Sequence, residues 1–273
     1  MVCDEIVDRF GNKPMLWRVE QTMTSRPNTR AKSKITGDQF AEFAATRRST
    51  RDFLPTPIPQ DVLDEILRDA MSAPSWSNTK PILVAVAAGE KRDRLAAEFL
   101  NHWKAVQAAR SGGWWPKLRL LITRYGLPSS NAFIAKPYVK ELLPRAQRVG
   151  KEMLGSMGVA RGDVAARNAS WARNYDFFGA PTELFIFSHK SLGKFAANDA
   201  GLFVQNLMLS AHARGLGTCA QGALSTWENV VRGEFEIPKD YGFLYGIAIG
   251  YPSDAAINDF GAHRLDIDEI VIR

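Results

Sequence analysis

A chain of 273 residues, 45% hydrophobic and 23% charged, can bury a large core and has the balance of an ordinary globular protein. It has no apolar run near the roughly 18 residues of a membrane-spanning helix, and its two cysteines, Cys3 and Cys219, are too few for a disulfide framework and fit a reducing cytoplasm. The net charge of +6 comes without zinc-finger, basic-zipper or ribonucleoprotein spacing, so a field attracting anionic cofactors and substrates explains it more simply than nucleic acid does.

Residues 1–36 carry no sustained periodicity and read as a loosely ordered N-terminal extension, with no signal-peptide core. Translation from Met23 stays open. A folded domain is expected over 37–273. It begins with a short helix from Asp38, a candidate cap, to Thr46, with Phe40, Phe43 and Ala44 on its inner side. Pro55, Pro57 and Pro59 impose an extended linker. Val62, Leu63, Ile66, Leu67, Ala70 and Met71 then recur at helical spacing, which predicts an amphipathic helix over 60–71. Residues 82–88 read as a buried strand. From 90 to 178 the pattern is mostly helical, with turns at 111–113 and 127–130, and 182–187 is a second strand. Residues 199–214 are apolar almost all round (Leu202, Phe203, Val204, Leu207, Met208, Leu209, Ala211), which predicts a buried helix ended by Gly215. Strands follow at 218–220 and 244–249, with a short one at 270–272. No repeat is visible, and one α+β domain is expected.

The most informative stretch is Thr46-Arg-Arg-Ser-Thr-Arg-Asp-Phe53. Arg47, Arg48 and Arg51, with Ser49 among them, offer rigid forks of donors suited to phosphate oxygens. Taken alone, such a run is more often a solvated face. About twenty residues later comes Ala73-Pro-Ser-Trp-Ser-Asn-Thr-Lys-Pro81, rich in turn formers. Gly215-Leu-Gly-Thr-Cys-Ala220 fits the loose G-x-G-x-x-A dinucleotide fingerprint, but that fingerprint needs a strand before it and a helix after it. Here the order is reversed, so a Rossmann site is rejected. His102, His189, His212 and His263 are dispersed without metal-ligand spacing, no G-x-S-x-G elbow exists, and Cys219 reads as a buried filler. No metal and no side-chain nucleophile are expected. Trp114 and Trp115 are either core or a mobile aromatic wall for flat substrates.

The two blocks, together with Ala211–Gly222 and Tyr245-Gly-Ile-Ala-Ile-Gly-Tyr-Pro252 followed by Asn258 and Arg264, resemble the nitroreductase family of FMN-dependent oxidoreductases. The resemblance covers about 37–273. Phe177-Phe-Gly-Ala-Pro181 is similar to the nitrobenzoate-reductase-like branch. The resemblance implies a three-layer α+β sandwich, a mixed or antiparallel central sheet flanked by helices, and an intertwined homodimer with two FMN sites at its interface. By it, Arg47, Arg48 and Ser49 face the ribityl phosphate, and Arg264 is a late phosphate ligand. Arg51 reaches the pyrimidine end of the flavin, where a fixed cation stabilises the charge of the reduced ring. Pro74, Ser75 and Asn78 belong to a flavin contact donated by the second subunit, with Trp76 shaping the substrate side. Lys80 replaces a usual Gln, Ile82 a common aromatic, and Ala262 a common basic residue. The backbone amides of Gln221 and Gly222 lie over the reactive flavin edge.

The implied function is an FMN-dependent NAD(P)H oxidoreductase that works by a ping-pong hydride transfer. NADH or NADPH is the donor, and small aromatic acceptors, nitroaromatics such as nitrobenzoates or quinones, enter the same pocket. Two alternatives stand beside it. One is a flavin-dependent oxidase or dehydrogenase of a specific metabolite on the same fold; the other is a non-catalytic module that uses the basic arm on nucleic acid. Neither a membrane nor a nucleic acid is expected as partner of the leading reading.

Overall fold

The computed structural model describes residues 34–130 and 138–273. Cys3, Met23 and most of the expected extension lie outside the described residues. The chain divides into an N-terminal unit ending at Ala41 and a main body, Glu42–Arg273. Helix α1 spans Gly37–Thr46. Its start differs from expectation. The cap is Thr36, which exchanges hydrogen bonds with Gln39 in a reciprocal capping box (Thr36 N to Gln39 Oε1 2.9 Å, Gln39 N to Thr36 Oγ1 3.2 Å), and this satisfies two orphan donors where Asp38 would satisfy one. Phe40, expected inside, is exposed.

The main body is built on four strands: β1 (Ile82–Ala88), β2 (Thr182–His189), β3 (Gly217–Gln221) and β4 (Tyr241–Gly250). Their order is β1-β2-β4-β3 and each neighbouring pair is antiparallel. The remaining helices are α2 (Gln60–Ala70), α3 (Gly89–Ser111), α4 (Trp114–Thr123), α5 (Leu142–Ser156), α6 (Val164–Ala172), α7 (Lys194–Ala213) and α8 (Glu228–Glu234).

Side-chain alternation divides the core into two layers. Leu184 and Ile186 of β2, with Ile247 and Ile249 of β4, meet Leu63 and Ile66 of α2 and Phe203 and Leu207 of α7. Phe185 and Phe187, facing the other way, join Phe99 of α3, Phe177, Trp227, Val231 of α8 and Phe243. Because both faces of β2 are covered, its apolar run is continuous rather than alternating. The helix–sheet–helix sandwich expected from the sequence is present.

Three expectations change. Residues 270–272 form no strand, because Asp266 and Glu269 close a capping box around the short turn Ile267–Glu269 and Ile270, Val271 and Ile272 are all exposed. Helix α7 is not buried all round, since Leu202 is 40% exposed. Met71 falls past the end of α2 and is exposed. Gly215 does end α7 as expected: it adopts φ +73°, and Leu216 N returns to Ala211 O at 3.0 Å.

Candidate functional site: an arginine cleft at the edge of the sheet

The basic segment lies along the free side of β3. Ser49 forms a parallel bridge with Thr218, and Thr50 N donates to Thr218 O at 3.0 Å. Farther on, Leu54 N donates to Tyr251 O at 2.9 Å. Gly217 permits the close approach, because the Thr50 side chain fills the place a Cβ would take. That is the physical role of the glycine in Gly-Leu-Gly, and it needs no dinucleotide.

Asn258 then locks the segment. Its Oδ1 accepts from Arg51 N (2.8 Å) and Asp52 N (3.2 Å), while its Nδ2 donates to Asp52 O (2.8 Å) and Ser253 O (2.9 Å). The Asp52 carboxylate takes Arg173 Nη2 at 3.1 Å and Ser253 Oγ at 2.5 Å. Arg173 Nε also reaches Asp176 at 3.3 Å. The Arg51 side chain therefore springs from a backbone held on both sides.

Arg47, Arg48, Thr50, Thr218, His212 and Asn258 line a cleft of about 350 Å³. Arg48 Nη1 donates to Asp259 O at 2.9 Å, and the exposed Arg264 donates to Ala262 O at 3.1 Å. Partial burial lowers the Arg47 pKa, and the nearby Arg264 charge lowers it further. An anion placed between the two cations would oppose both effects on Arg47. His212, whose Nε2 lies 2.9 Å from Thr46 Oγ1, is likewise lowered by burial and then by Arg47. Cys219 is buried beside these groups, and its thiol is pushed up to about 11 by burial, so it is an inert filler as expected. Gln221 is buried and donates Nε2 to Asn174 O at 2.7 Å. Gly222 follows at the strand end, with open space where a Cβ would stand.

The second block is a turn at Trp76–Asn78 in which Ser77, Asn78 and Lys80 all hold positive φ (47°, 56° and 47°). Non-glycine residues there are costly, and the turn has fixed supports. Asp199 Oδ2 accepts from Trp76 N at 2.9 Å, Ser75 Oγ from Lys80 N at 3.0 Å, and the Lys80 ammonium donates to Ala73 O. Pro74 and Asn78 are exposed. Trp76 is 54% exposed and packs on Phe195 at 4.7 Å.

The structure does not bring these two blocks together within one chain. The turn leads into β1 at one edge of the sheet and the arginines flank β3 at the other, about 14 Å apart at the usual strand spacing. Along α7 the turn is tied to Asp199 and the cleft to His212, which the helical rise sets about 20 Å apart. Trp114 and Trp115 stack on each other at 3.7 Å; they are exposed and do not line the cleft.

A larger depression, about 1020 Å³, lies at the other end of β4 beside Phe235 and Phe243. Its Arg232 is committed to Glu228 (2.7 Å) and to the carbonyls of Ile237 (2.9 Å) and Tyr241, and its Lys190 to Lys239 O (2.6 Å). Volume alone does not make it the site; the cations that repel one another are at Arg47. His102 is structural, being buried and accepting Gly126 N at 3.0 Å. Among the described residues no group of His, Cys, Asp or Glu is arranged to hold a metal, and no helix is long and apolar enough to cross a membrane.

The model of the nitroreductase family matches residues 44–251, from the arginine segment to the end of β4. The chain belongs to the nitroreductase family. It is 30% identical over 221 residues to the 4-nitrobenzoate reductase of Pseudomonas putida, covering 80% of this chain and 88% of that one. It is 30% identical to the chloronitrobenzene nitroreductase of Comamonas testosteroni, over 82% of this chain and 91% of that one. Its fold is similar to the FMN-dependent nitroreductase NfnB from Mycobacterium smegmatis, solved in complex with NADPH. There the TM-score is 0.73 and the identity 27%, with 86% of this chain and 98% of that chain covered. Sequence reasoning reached this nitroreductase's arginines and its turn. It missed Asp52, Arg173 and Asp199, single residues whose partners are more than a hundred positions away.

Proposed function

We propose that this chain is an FMN-dependent NAD(P)H oxidoreductase of the cytoplasm, reducing nitroaromatic or quinone acceptors, with residues 37–273 as its catalytic domain. The observation that carries the proposal is the convergence of Arg47, Arg48 and Arg264 at the edge of β3. One half-buried and two exposed cations brought to the same edge suit a phosphate dianion, and the open space before Gly222 leaves room for a flat ring alongside. FMN, when bound, accepts a hydride from NAD(P)H and passes it to the acceptor. The protein's part is binding and electrostatics. Arg47, Arg48, Ser49 and Arg264 hold the phosphate, Arg51 offers a fixed cation to the pyrimidine end, and the backbone of Gln221 and Gly222 offers donors to the reactive edge. Two of the similar proteins are named as reductases of 4-nitrobenzoate and chloronitrobenzene, and the structure similar in fold is an FMN-dependent nitroreductase in complex with NADPH, which supports the same assignment.

The active form is a homodimer with two shared sites, on this proposal. Within one chain the turn at Pro74, Ser75, Trp76 and Asn78 is a full sheet width from the arginines, so a second copy has to supply it. Leu202 on α7, Trp76, Phe195 and the tail Ile267–Ile272 expose apolar surface that such a copy would cover. Trp76 then stands at the acceptor side of the site. The absorption spectrum of the purified protein tests the cofactor assignment. A yellow protein, bleached by NADH or NADPH and recoloured by a nitrobenzoate, is expected. A colourless protein that FMN does not reconstitute ends the proposal.

A further inference from the structure

Glu183 is a buried carboxyl that neither the anion site nor the fold accounts for. It is the second residue of β2 and has no solvent exposure. Neither of its oxygens has a hydrogen-bond partner. An unpaired carboxyl in an aromatic layer beside Phe185 is costly to bury, so its surroundings should show what it serves.

The register identifies those surroundings. Ala87, Glu183, Ala248 and Cys219 form one row across all four strands, with their side chains on the same face. The Glu183 side chain leans along β4 until Oε1 occupies the space of an absent Cβ on Gly246. That explains a glycine in the middle of a central strand, where it otherwise weakens the sheet. Gly246 is paired with Gln221 of β3. The Gln221 amide nitrogen is satisfied by Asn174 O, but its Oε1 is buried and has no partner. Glu183 therefore covers the glycine that pairs with Gln221, and both side chains carry buried oxygens without a partner.

Three acceptor oxygens and no hydrogen make an unstable arrangement; one added proton supplies a donor for the Gln221 oxygen. The one charge facing Glu183 does not offset its burial. Arg92 of α3 is the nearby cation, but its guanidinium is spent on the carbonyls of Ala180 and Asp176, and Cys219 of β3 is an uncharged thiol. Burial pushes the Glu183 carboxyl well above its ordinary value, with Arg92 opposing only in part.

We propose that Glu183 is a positioning residue: as a neutral acid it donates a hydrogen bond, directly or through one internal water, to Gln221 Oε1. It thereby fixes the Gln221–Gly222 backbone that faces the reactive edge of the cofactor. The functional half of this inference rests on the proposed flavin site, whereas the hydrogen bond itself does not. Side chains that hold a reacting backbone from behind govern geometry on the scale at which hydride transfer is sensitive.

The test uses the full-length protein with FMN and three variants, E183Q, E183L and Q221L. Infrared difference spectra between wild type and E183Q should contain the carbonyl band of a neutral carboxylic acid at pH near 7, and Q221L should shift that band. In stopped-flow reduction by NADPH, E183L should reduce flavin about tenfold more slowly, as for one lost buried hydrogen bond. E183Q, which keeps a donor, should restore the rate, and the flavin midpoint potential should follow the same order. An ionised carboxylate in the infrared, a band indifferent to Q221L, or E183L reducing flavin like wild type would each overturn the proposal. If E183L does not fold, Q221L takes its place in the kinetic arm. A protein that binds no FMN would refute the function proposed above, and the infrared arm would still decide the hydrogen bond.

Discussion

At the scale of single residues, the arginines of the first block have different surroundings and should have different effects. Arg47 is half-buried and already strained by Arg264, so an anion relieves it and its loss is felt mainly in binding. Replacing Arg47 by Ala should weaken FMN binding about ten- to hundredfold, the worth of one or two charge-assisted bonds. Arg51 projects from a backbone pinned by Asn258. Arg51→Ala should retain more flavin but lower its midpoint potential, because the reduced ring loses a fixed cation. Equilibrium titration and potentiometry on both variants separate the roles; an unchanged potential in Arg51→Ala contradicts the assignment. Glu183 gives a prediction of the opposite kind, about stability. Its folded pKa lies above the ordinary carboxyl value of 4.5, so above that pH the folded state binds more protons than the unfolded one. Stability is therefore lost as pH rises from about 4.5 toward the folded pKa, and then levels. E183Q lacks this slope and should gain stability relative to wild type as pH rises. Urea midpoints across that range check it, and parallel pH curves for the two proteins would refute it.

At the scale of elements, the strands and the long helices were legible because their physics is local. Ile82–Ala88 is a short, wholly apolar run rich in Val and Ala, and Leu63, Ile66 and Ala70 keep a helical period; both match the structure. The start of α1 and the end of the chain were misjudged because capping boxes at Thr36 and Asp266 compete with weak propensities. The arginines and the turn were legible as motifs, but what holds them was not. Asn258 sits 207 positions from Arg51, and Asp199 sits 123 from Trp76; no periodicity links such pairs. These braces carry their own prediction. Asn258→Ala removes four hydrogen bonds to the backbone of Arg51, Asp52 and Ser253, and should destabilise the protein by about 2 kcal/mol or more, since partly buried backbone groups lose their partners. Flavin affinity should fall with it, while Asn258→Asp, which keeps the acceptor, should retain part of both. Wild-type urea stability in Asn258→Ala would show that the brace is incidental.

At the scale of the whole molecule, the sheet order decides how many chains make a site. With β1 and β3 at opposite edges, the turn and the arginines of one chain lie apart, and in the proposed homodimer a two-fold partner would bring each turn to the other chain's arginines. Intersubunit complementation tests this directly. A chain carrying Arg47→Ala and Arg264→Ala keeps an intact turn; a chain carrying Ser75→Ala and Asn78→Ala keeps intact arginines. Each homodimer should be nearly devoid of flavin. Co-expressed, half of the dimers should be mixed, and each mixed dimer joins one intact turn to one intact arginine cleft, so about a quarter of all sites should regain FMN and activity. If both half-sites acted within one chain, mixing would restore nothing, because every chain would carry one damaged half. The two outcomes differ in kind rather than degree. Separately tagged chains allow the mixed dimer to be isolated and its flavin counted, with one FMN per mixed dimer supporting the shared site and none refuting it.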